Sequence, residues 1–432
     1  MKKIAAIWTI TIGVLMAHSL PQIEIQTLKN GLTVAAVAMN NDTGVISVDI
    51  FYKVGSRNEI MGKSGIAHML EHMNFKSSKN LEAGEFDRIV KGFGGVTNAS
   101  TGFDYTHYFI KTATQNLDRS LELFAELMQN LNLKDEEFQP ERKVVYEERR
   151  WRTENSPIGT MYFELFNLAF SRHPYHWTPI GFANDIESWT IDDIKEFHSL
   201  WYQPQNAILL VAGDFKPQEL FKLAEKRFGG IKNKSEIKEI DIAEPEQRGA
   251  RRSIINKESE VETLMIAWKI PAFDDGNITA INALASLLSE GASSRLQERL
   301  VDKLRYVNAI GAYAMEGRDP SLFVVTAICN PGIKAEEVEK EILDQIAAIV
   351  KKAPSQKEVD KVKIMARSEF IQSLESSDSL AGIFGDYLAK ENLTPLLNYE
   401  KEIEALNAKA IQAAAAYFLV ADRSTTIILR NK

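Results

Sequence analysis

The stretch Gly65-Ile-Ala-His68-Met-Leu-Glu71-His72-Met73 leaves the chain little conformational choice, because H-x-x-E-H works as a unit only on a helix. His68 and His72 are four apart, so on a helix both imidazoles leave one face, and Glu71 lies one turn from His68. Two neutral imidazoles so placed can share a zinc ion, with Glu71 in reach of a water activated there. The letters reverse the H-E-x-x-H order of many zinc-binding helices. Ile66, Met69, Leu70 and Met73 predict a largely buried helix. In such surroundings two histidines and a glutamate cost desolvation free energy unless something meets them. The competing reading is a helix with polar residues at its solvent edge.

The rest of the chain supplies a frame for that helix. Ile23–Thr27, Leu32–Val37 and Val45–Tyr52 read as strands before it, the first two joined at Lys29-Asn30-Gly31. After it come a helical stretch at Phe86–Lys91, a Gly92-Phe-Gly-Gly95 break, and strands at Val96–Thr101 and Tyr105–Ile110. Leu117–Leu131 has a helical period, Pro140 suits the first position of a helix running to Arg152, and Trp189–Trp201 is helical. Ala207–Ala212 is a buried strand. Residues 229–252 open with Gly229-Gly230, are rich in charge, and are expected to be a linker. The pattern then restarts with strands at Leu264–Ile270 and Phe323–Ile328, a helix at Ile278–Leu288, long helices over 335–419 and a last strand at Thr425–Arg430.

Each half closes alike, with a helix, an aromatic pair (Trp201-Tyr202; Tyr417-Phe418), a turn and an apolar strand. At 432 residues the chain also exceeds what one core usually serves. The expectation is α+β: two duplicated domains, 20–228 and 253–432, each a mostly antiparallel sheet with helices on one face.

A formal net charge of −8 argues against nucleic acid or an anionic membrane as main partner. The single Cys329 excludes an internal disulfide and a multi-thiolate metal site, and its apolar run suggests a buried thiol. Lys2-Lys3, the apolar Ile4–Met16 and the small residues Ala17 and Ser19 read as a signal peptide over 1–19. The periplasm of a bacterium is the compartment expected, with an uncleaved membrane anchor as the alternative.

A catalytic zinc site usually takes a third protein ligand and a water. On the helix beginning at Pro140, Val144, Val145 and Trp151 outline an apolar arc that contains Glu141 and Glu148. Seven residues apart, these two carboxylates point within about 20° of each other. Acids within an apolar face need a cation. One reading is ion pairing with Arg142, Lys143 or Arg149; the sharper one makes Glu148 the third ligand and Glu141 an acid that orients the site. His173 and His176, flanking Pro174, remain the alternative metal residues, whereas His107 between Tyr105 and Phe109 reads as a sheet histidine.

With these residues in view, the chain resembles the pitrilysin/insulinase family of zinc peptidases, in the two-domain branch that includes the mitochondrial processing peptidase. Other segments carry the resemblance: Gly55-Ser-Arg57-Asn-Glu59, Asn74-Phe-Lys76, Gly94–Thr101, Asp104–Tyr108, His173-Pro-Tyr175 with Pro179-Ile-Gly181, Trp201–Asn206, and Gly291-Ala-Ser-Ser-Arg295-Leu296. The resemblance implies one Zn2+ on His68, His72 and Glu148, with Glu71 as general base. It also implies that Asn98-Ala99 lies on an edge strand pairing with an extended peptide substrate. The same ligands accept manganese or cobalt.

One departure has consequences for partners. Relatives usually carry an arginine, and a tyrosine seven residues later, that stabilise the oxyanion. Ungapped alignment on Ser293–Leu296 puts Val301 and Asn308 there, and neither serves. Arg299 and Tyr306 have the same spacing but are displaced by two residues, which turns Arg299 onto another helix face. The expectation is a metallopeptidase of peptides or unfolded segments whose pair comes from a homologous chain lacking the zinc motif, in a heterodimer. The alternative is a non-catalytic structural or peptide-binding subunit of the same fold.

Overall fold

The computed structural model describes residues 20–431, so the expected signal peptide lies outside the described residues. Among the described residues, eleven strands form two sheets. The first contains β1 (Ile23–Thr27), β2 (Thr33–Ala38), β3 (Val45–Tyr52), β4 (Val96–Thr101), β5 (Thr106–Ala113) and β6 (Ala207–Gly213) in the order β1-β2-β6-β3-β5-β4. The second contains β7 (Arg251–Asn256), β8 (Thr263–Ile270), β9 (Val307–Ala314), β10 (Ser321–Cys329) and β11 (Thr425–Arg430) in the order β7-β11-β8-β10-β9.

Without β1, the two sheets are the same object. In each, the first strand pairs in parallel with the last (β2 with β6, β7 with β11), and every other pairing is antiparallel. The fold is therefore α+β and duplicated.

Helices of its own half cover one face of each sheet. In the first half these include α1 (Ile66–Asn74), α2 (Glu85–Gly92), α3 (Leu117–Asn130) and α4 (Asp135–Arg149), packed over Val34, Val48, Ile50, Tyr108 and Val211. The opposite faces are covered by exchange. Helix α5 (Pro157–Ala169) of the first half lays Met161, Leu165 and Phe166 on Met265, Ala267, Val324 and Ile427 of the second sheet. The helix Ser377–Ala389 of the second half lays Leu380, Ala381 and Phe384 on Phe51, Ile208 and Leu210 of the first. Both faces of β6 are thus buried, which is why Ala207–Gly213 reads as a continuous apolar run rather than an alternation.

Polar contacts reinforce this interlock. Asp319 accepts from Arg57 Nε and, at 2.9 Å, from His173 Nε2; Asp104 accepts from Tyr175 Oη at 2.5 Å and from the Arg318 amide at 2.9 Å. The charged segment between the sheets has no regular element from 231 to 250, yet it is pinned. Glu244 accepts from the amides of Ser171, Arg172 and His173 at 2.9–3.0 Å and from Lys269 Nζ at 2.8 Å.

Some elements differ from the sequence reading. The helix expected from Pro140 begins at Asp135, with Pro140 inside it; Asp135, Glu136 and Glu137 suit a helix N-terminus, and Phe138 anchors the first turn in the core. The helix expected over Trp189–Trp201 is present but starts at Ile191, where Thr190 and Asp193 cap it, and a separate short helix, Ala183–Ser188, precedes it. Strand β7 starts inside the segment expected as linker, and β7 and β9 were not legible as strands.

Candidate active site and metal centre

Helix α1 starts where it does because Gly65 adopts φ +84°, and a Cβ there would stand 2.7 Å from the carbonyl oxygen of Ile180. Met69, Leu70 and Met73 are buried, so the face bearing His68, Glu71 and His72 turns towards α4 and β4. The rings of His68 and His72 meet edge to face, with centroids 4.8 Å apart.

Helix α4 crosses this face. Its buried Phe138 and Val145 fix the helix, and Glu141 and Glu148, on the same side, reach the histidines. Glu148 Oε2 lies 3.4 Å from His72 Nε2 and 3.8 Å from His68 Nε2. One ligand atom each from His68, His72 and Glu148 falls within a 4.8 Å span. For zinc with ligands at about 2.0–2.1 Å, tetrahedral edges are about 3.4 Å, close to the 3.4 and 3.8 Å that separate Glu148 from the two histidines. His72 Nδ1 donates to Glu141 Oε1 at 2.8 Å, which fixes the ring and leaves Nε2 for a metal.

The remaining partners of these acids come from elsewhere than Arg142, Lys143 and Arg149. Lys76 Nζ lies 2.5 Å from Glu141, and Arg152 Nε lies 2.9 Å from Glu148. Arg142 instead donates to the carbonyls of Glu187 and Trp189, and Arg149 to the carbonyl of Gly181. Arg152 was missed in the sequence although its i,i+4 spacing to Glu148 was a usable signal. The arc expected from Val144, Val145 and Trp151 is only partly buried: Val145 is in the core, whereas Val144 and Trp151 are exposed. After Glu148 the helix widens into a π-turn over Arg150–Glu154, which takes Trp151 out of line with Val145.

The electrostatics follow from this packing. Burial pulls the His68 imidazole well below its ordinary pKa, and the neighbouring His72 adds to that effect. Burial also acts to lower His72, but the carboxylates of Glu141 and Glu148 outweigh it and raise the imidazole above its ordinary pKa. The pocket therefore favours a cation between His72 and Glu148. Burial raises the Glu71 carboxyl above its usual range, opposed by the Thr101 hydroxyl that donates to Oε2. A base poised nearer neutrality is suited to taking and returning a proton.

These groups line one cleft of about 700 Å³ that also includes Asn98, Ala99, Tyr162, Phe163 and the segment Thr178–Ile180. Asn98 and Ala99 lie on β4, the last strand of the first sheet, which among the described residues pairs only with β5. Its other edge offers backbone groups to an extended chain. Every lining residue belongs to the first half.

Other candidates fall elsewhere. Arg299 pairs with Glu341 at 2.8 Å, Tyr306 packs against the second core, and Asn308 is exposed on β9. His107 binds the buried Asp49 at 2.7 Å in the sheet, and His173 and His176 flank a short turn, turned to Asp319 and to the Phe170 carbonyl.

Two family descriptions match this chain: "Insulinase (Peptidase family M16)" over residues 34–164 and "Peptidase M16 inactive domain" over 188–365. A Helicobacter pylori protein named zinc protease PqqE is 51% identical, covering 99% of this chain and 97% of its own. The probable mitochondrial-processing peptidase subunit beta of Schizosaccharomyces pombe is 26% identical over 86% of this chain and 82% of its own. The crystal structure of a protease from Helicobacter pylori superposes with a TM-score of 0.93 at 53% identity, covering 95% of this chain and 100% of that one. The chain belongs to the insulinase family of zinc peptidases, peptidase family M16.

Proposed function

From that membership, we propose that this chain is a zinc-dependent endopeptidase that cuts peptides or short unfolded segments. The observation that carries the reading is the convergence of His68, His72 and Glu148 beside Glu71, in one cleft bordered by a free strand edge. His68, His72 and Glu148 would hold one zinc ion, which when bound polarises the scissile carbonyl and acidifies the attacking water.

The chain's own groups do the rest. The free edge of β4 at Asn98-Ala99 pairs with the extended peptide and lays it across the cleft. Glu71 accepts the proton of the attacking water and delivers it to the leaving amine, with its carboxylate oriented by the Thr101 hydroxyl. Glu141 keeps His72 in the tautomer that presents Nε2.

We further propose that the oxyanion donor comes from a second, homologous chain without the metal motif. Supporting this, no residue of the second half lines the cleft, and Arg299 is engaged by Glu341. Val144 and Trp151, 51% and 71% exposed beside Glu148, offer apolar surface for such a chain to cover. Full peptide turnover by this chain alone, or as a homodimer, contradicts the partner. The N-terminal basic and apolar run supports export to the periplasm. Among the described residues no helix is long and apolar enough to cross a membrane.

The test of the reading is zinc content together with cleavage of an unfolded peptide, for the native chain and Glu71→Gln. Loss of turnover with zinc retained supports it. A second reading, a subunit that binds peptide without cutting it, is favoured by the absence of a second-half donor from the cleft; zinc binding and peptide binding without cleavage would establish it.

A further inference from the structure

Glu59 lies outside the cleft, and none of the roles above uses it. Its side chain is buried, and among the described residues it has no cationic partner. Three N–H groups converge on it instead. The amides of Gly65 and Ala67 donate to its two oxygens at 2.7 and 2.8 Å, and Trp177 Nε1 donates at 2.8 Å.

The two amides belong to the start of α1, where N–H groups have no partner within the helix and the helix dipole favours a carboxylate. The indole belongs to the segment that continues into Thr178–Ile180, a wall of the cleft. The two elements touch without slack: a Cβ on Gly65 would lie 2.7 Å from the Ile180 oxygen, and one on Gly181 would lie 2.5 Å from the Ser64 oxygen. Glu59 is bonded to both sides of that seam. The residue after Ala67 is His68, so any slip of this turn moves the first histidine directly.

We propose that Glu59 is a positioning residue, which by tying the first turn of α1 to Trp177 sets His68 and Glu71 against the cleft wall. The inference rests on the metal-peptidase reading and says which buried group holds its geometry. Glu59→Gln keeps the shape but turns an NH2 towards donors. Trp177→Phe keeps an aromatic ring but removes the indole N–H, which donates to Glu59 at 2.8 Å and to the Ser56 carbonyl at 3.2 Å, and it leaves the Glu59 carboxylate in place, so it decides the matter where Glu59→Gln does not fold.

The experiment loads the full chain and both variants, each isolated with any chain that co-purifies, with Co2+ and records the visible d–d spectrum, which reports ligand geometry, alongside kcat and KM on an unfolded peptide. The expected result is a changed cobalt spectrum in Glu59→Gln and a kcat lower by roughly 10- to 100-fold with KM little altered. Trp177→Phe should change both in the same direction by less. Variants that melt earlier yet keep the native spectrum and kcat overturn the proposal. A native chain giving no cobalt spectrum overturns the metal reading itself, and this inference with it.

Discussion

His72 and Glu141 are bonded at 2.8 Å through the ring nitrogen that faces away from Glu148. This bond is what distinguishes the candidate metal site from an ordinary helix–helix contact. The carboxylate sets which nitrogen carries the proton and so leaves the other as a ligand. It also shows why an acid seven residues before Glu148 sits on the same face of α4.

Glu141→Gln should therefore weaken zinc binding by roughly 10- to 100-fold without unfolding the chain. Competition against a chelator of known affinity measures this. An unchanged zinc affinity would remove Glu141 from the site.

Thr101 donates to Glu71 and stabilises its ionised form. Thr101→Val removes that bond, so the Glu71 carboxyl, already raised by burial, should rise further. Because the base acts deprotonated, the acid limb of the kcat/KM profile should move to higher pH. A limb that stays in place would mean that another group controls it.

Asp319 joins the two halves. Burial acts to raise its pKa, but its bonds to His173 and Arg57 outweigh that and hold it at about 2. A depressed folded-state value means stability present above the unfolded pKa of about 3.9 and lost as pH falls towards 2. Asp319→Asn should cost about 2 kcal/mol at neutral pH, less than for a fully buried pair because its side chain is 26% exposed. In denaturant titrations the difference from the native chain should shrink between pH 4 and 2.

The exchanged helix Ser377–Ala389 can be tested at Gly385. A Cβ there would stand 2.1 Å from the ring of Phe51, which is itself buried and stacked on His107 with centroids 4.1 Å apart. Gly385→Ala should destabilise the protein by about 1–3 kcal/mol. Since the contact joins one half's helix to the other's sheet, near-UV and far-UV signals should still melt together. Separate transitions for the two halves would contradict the interlock.

How much of this was legible in the sequence depended on whether local pattern or distant packing decided. His68, Glu71 and His72 were readable because their spacing has one helical meaning, and β3 and β6 because long apolar runs fix buried strands. β7 and β9 were not: Arg251-Arg-Ser-Ile-Ile-Asn256 mixes charge with only two apolar residues, and β9 is an edge strand interrupted by Gly311. The exchange of helices was invisible, since the apolar face of α5 does not say whose sheet it covers. Pro140 misled because it is a good first residue of a helix, while buried Phe138 two residues earlier held the true first turn. At the site, Glu148 and Glu141 could be singled out from their shared helix face. Arg152 was within reach through its i,i+4 spacing to Glu148, whereas the Thr178–Ile180 wall depended on a loop further along the chain.

The central claim is that His68, His72 and Glu148 hold a zinc ion which acts together with Glu71. The most direct measurement is zinc content and peptide hydrolysis in the same samples of native, Glu71→Gln and Glu148→Ala protein, each isolated with any chain that co-purifies. One zinc per chain is expected in the first two and none in the third, with hydrolysis only in the native protein. Native protein without zinc, or Glu71→Gln cleaving at the native rate, would contradict it.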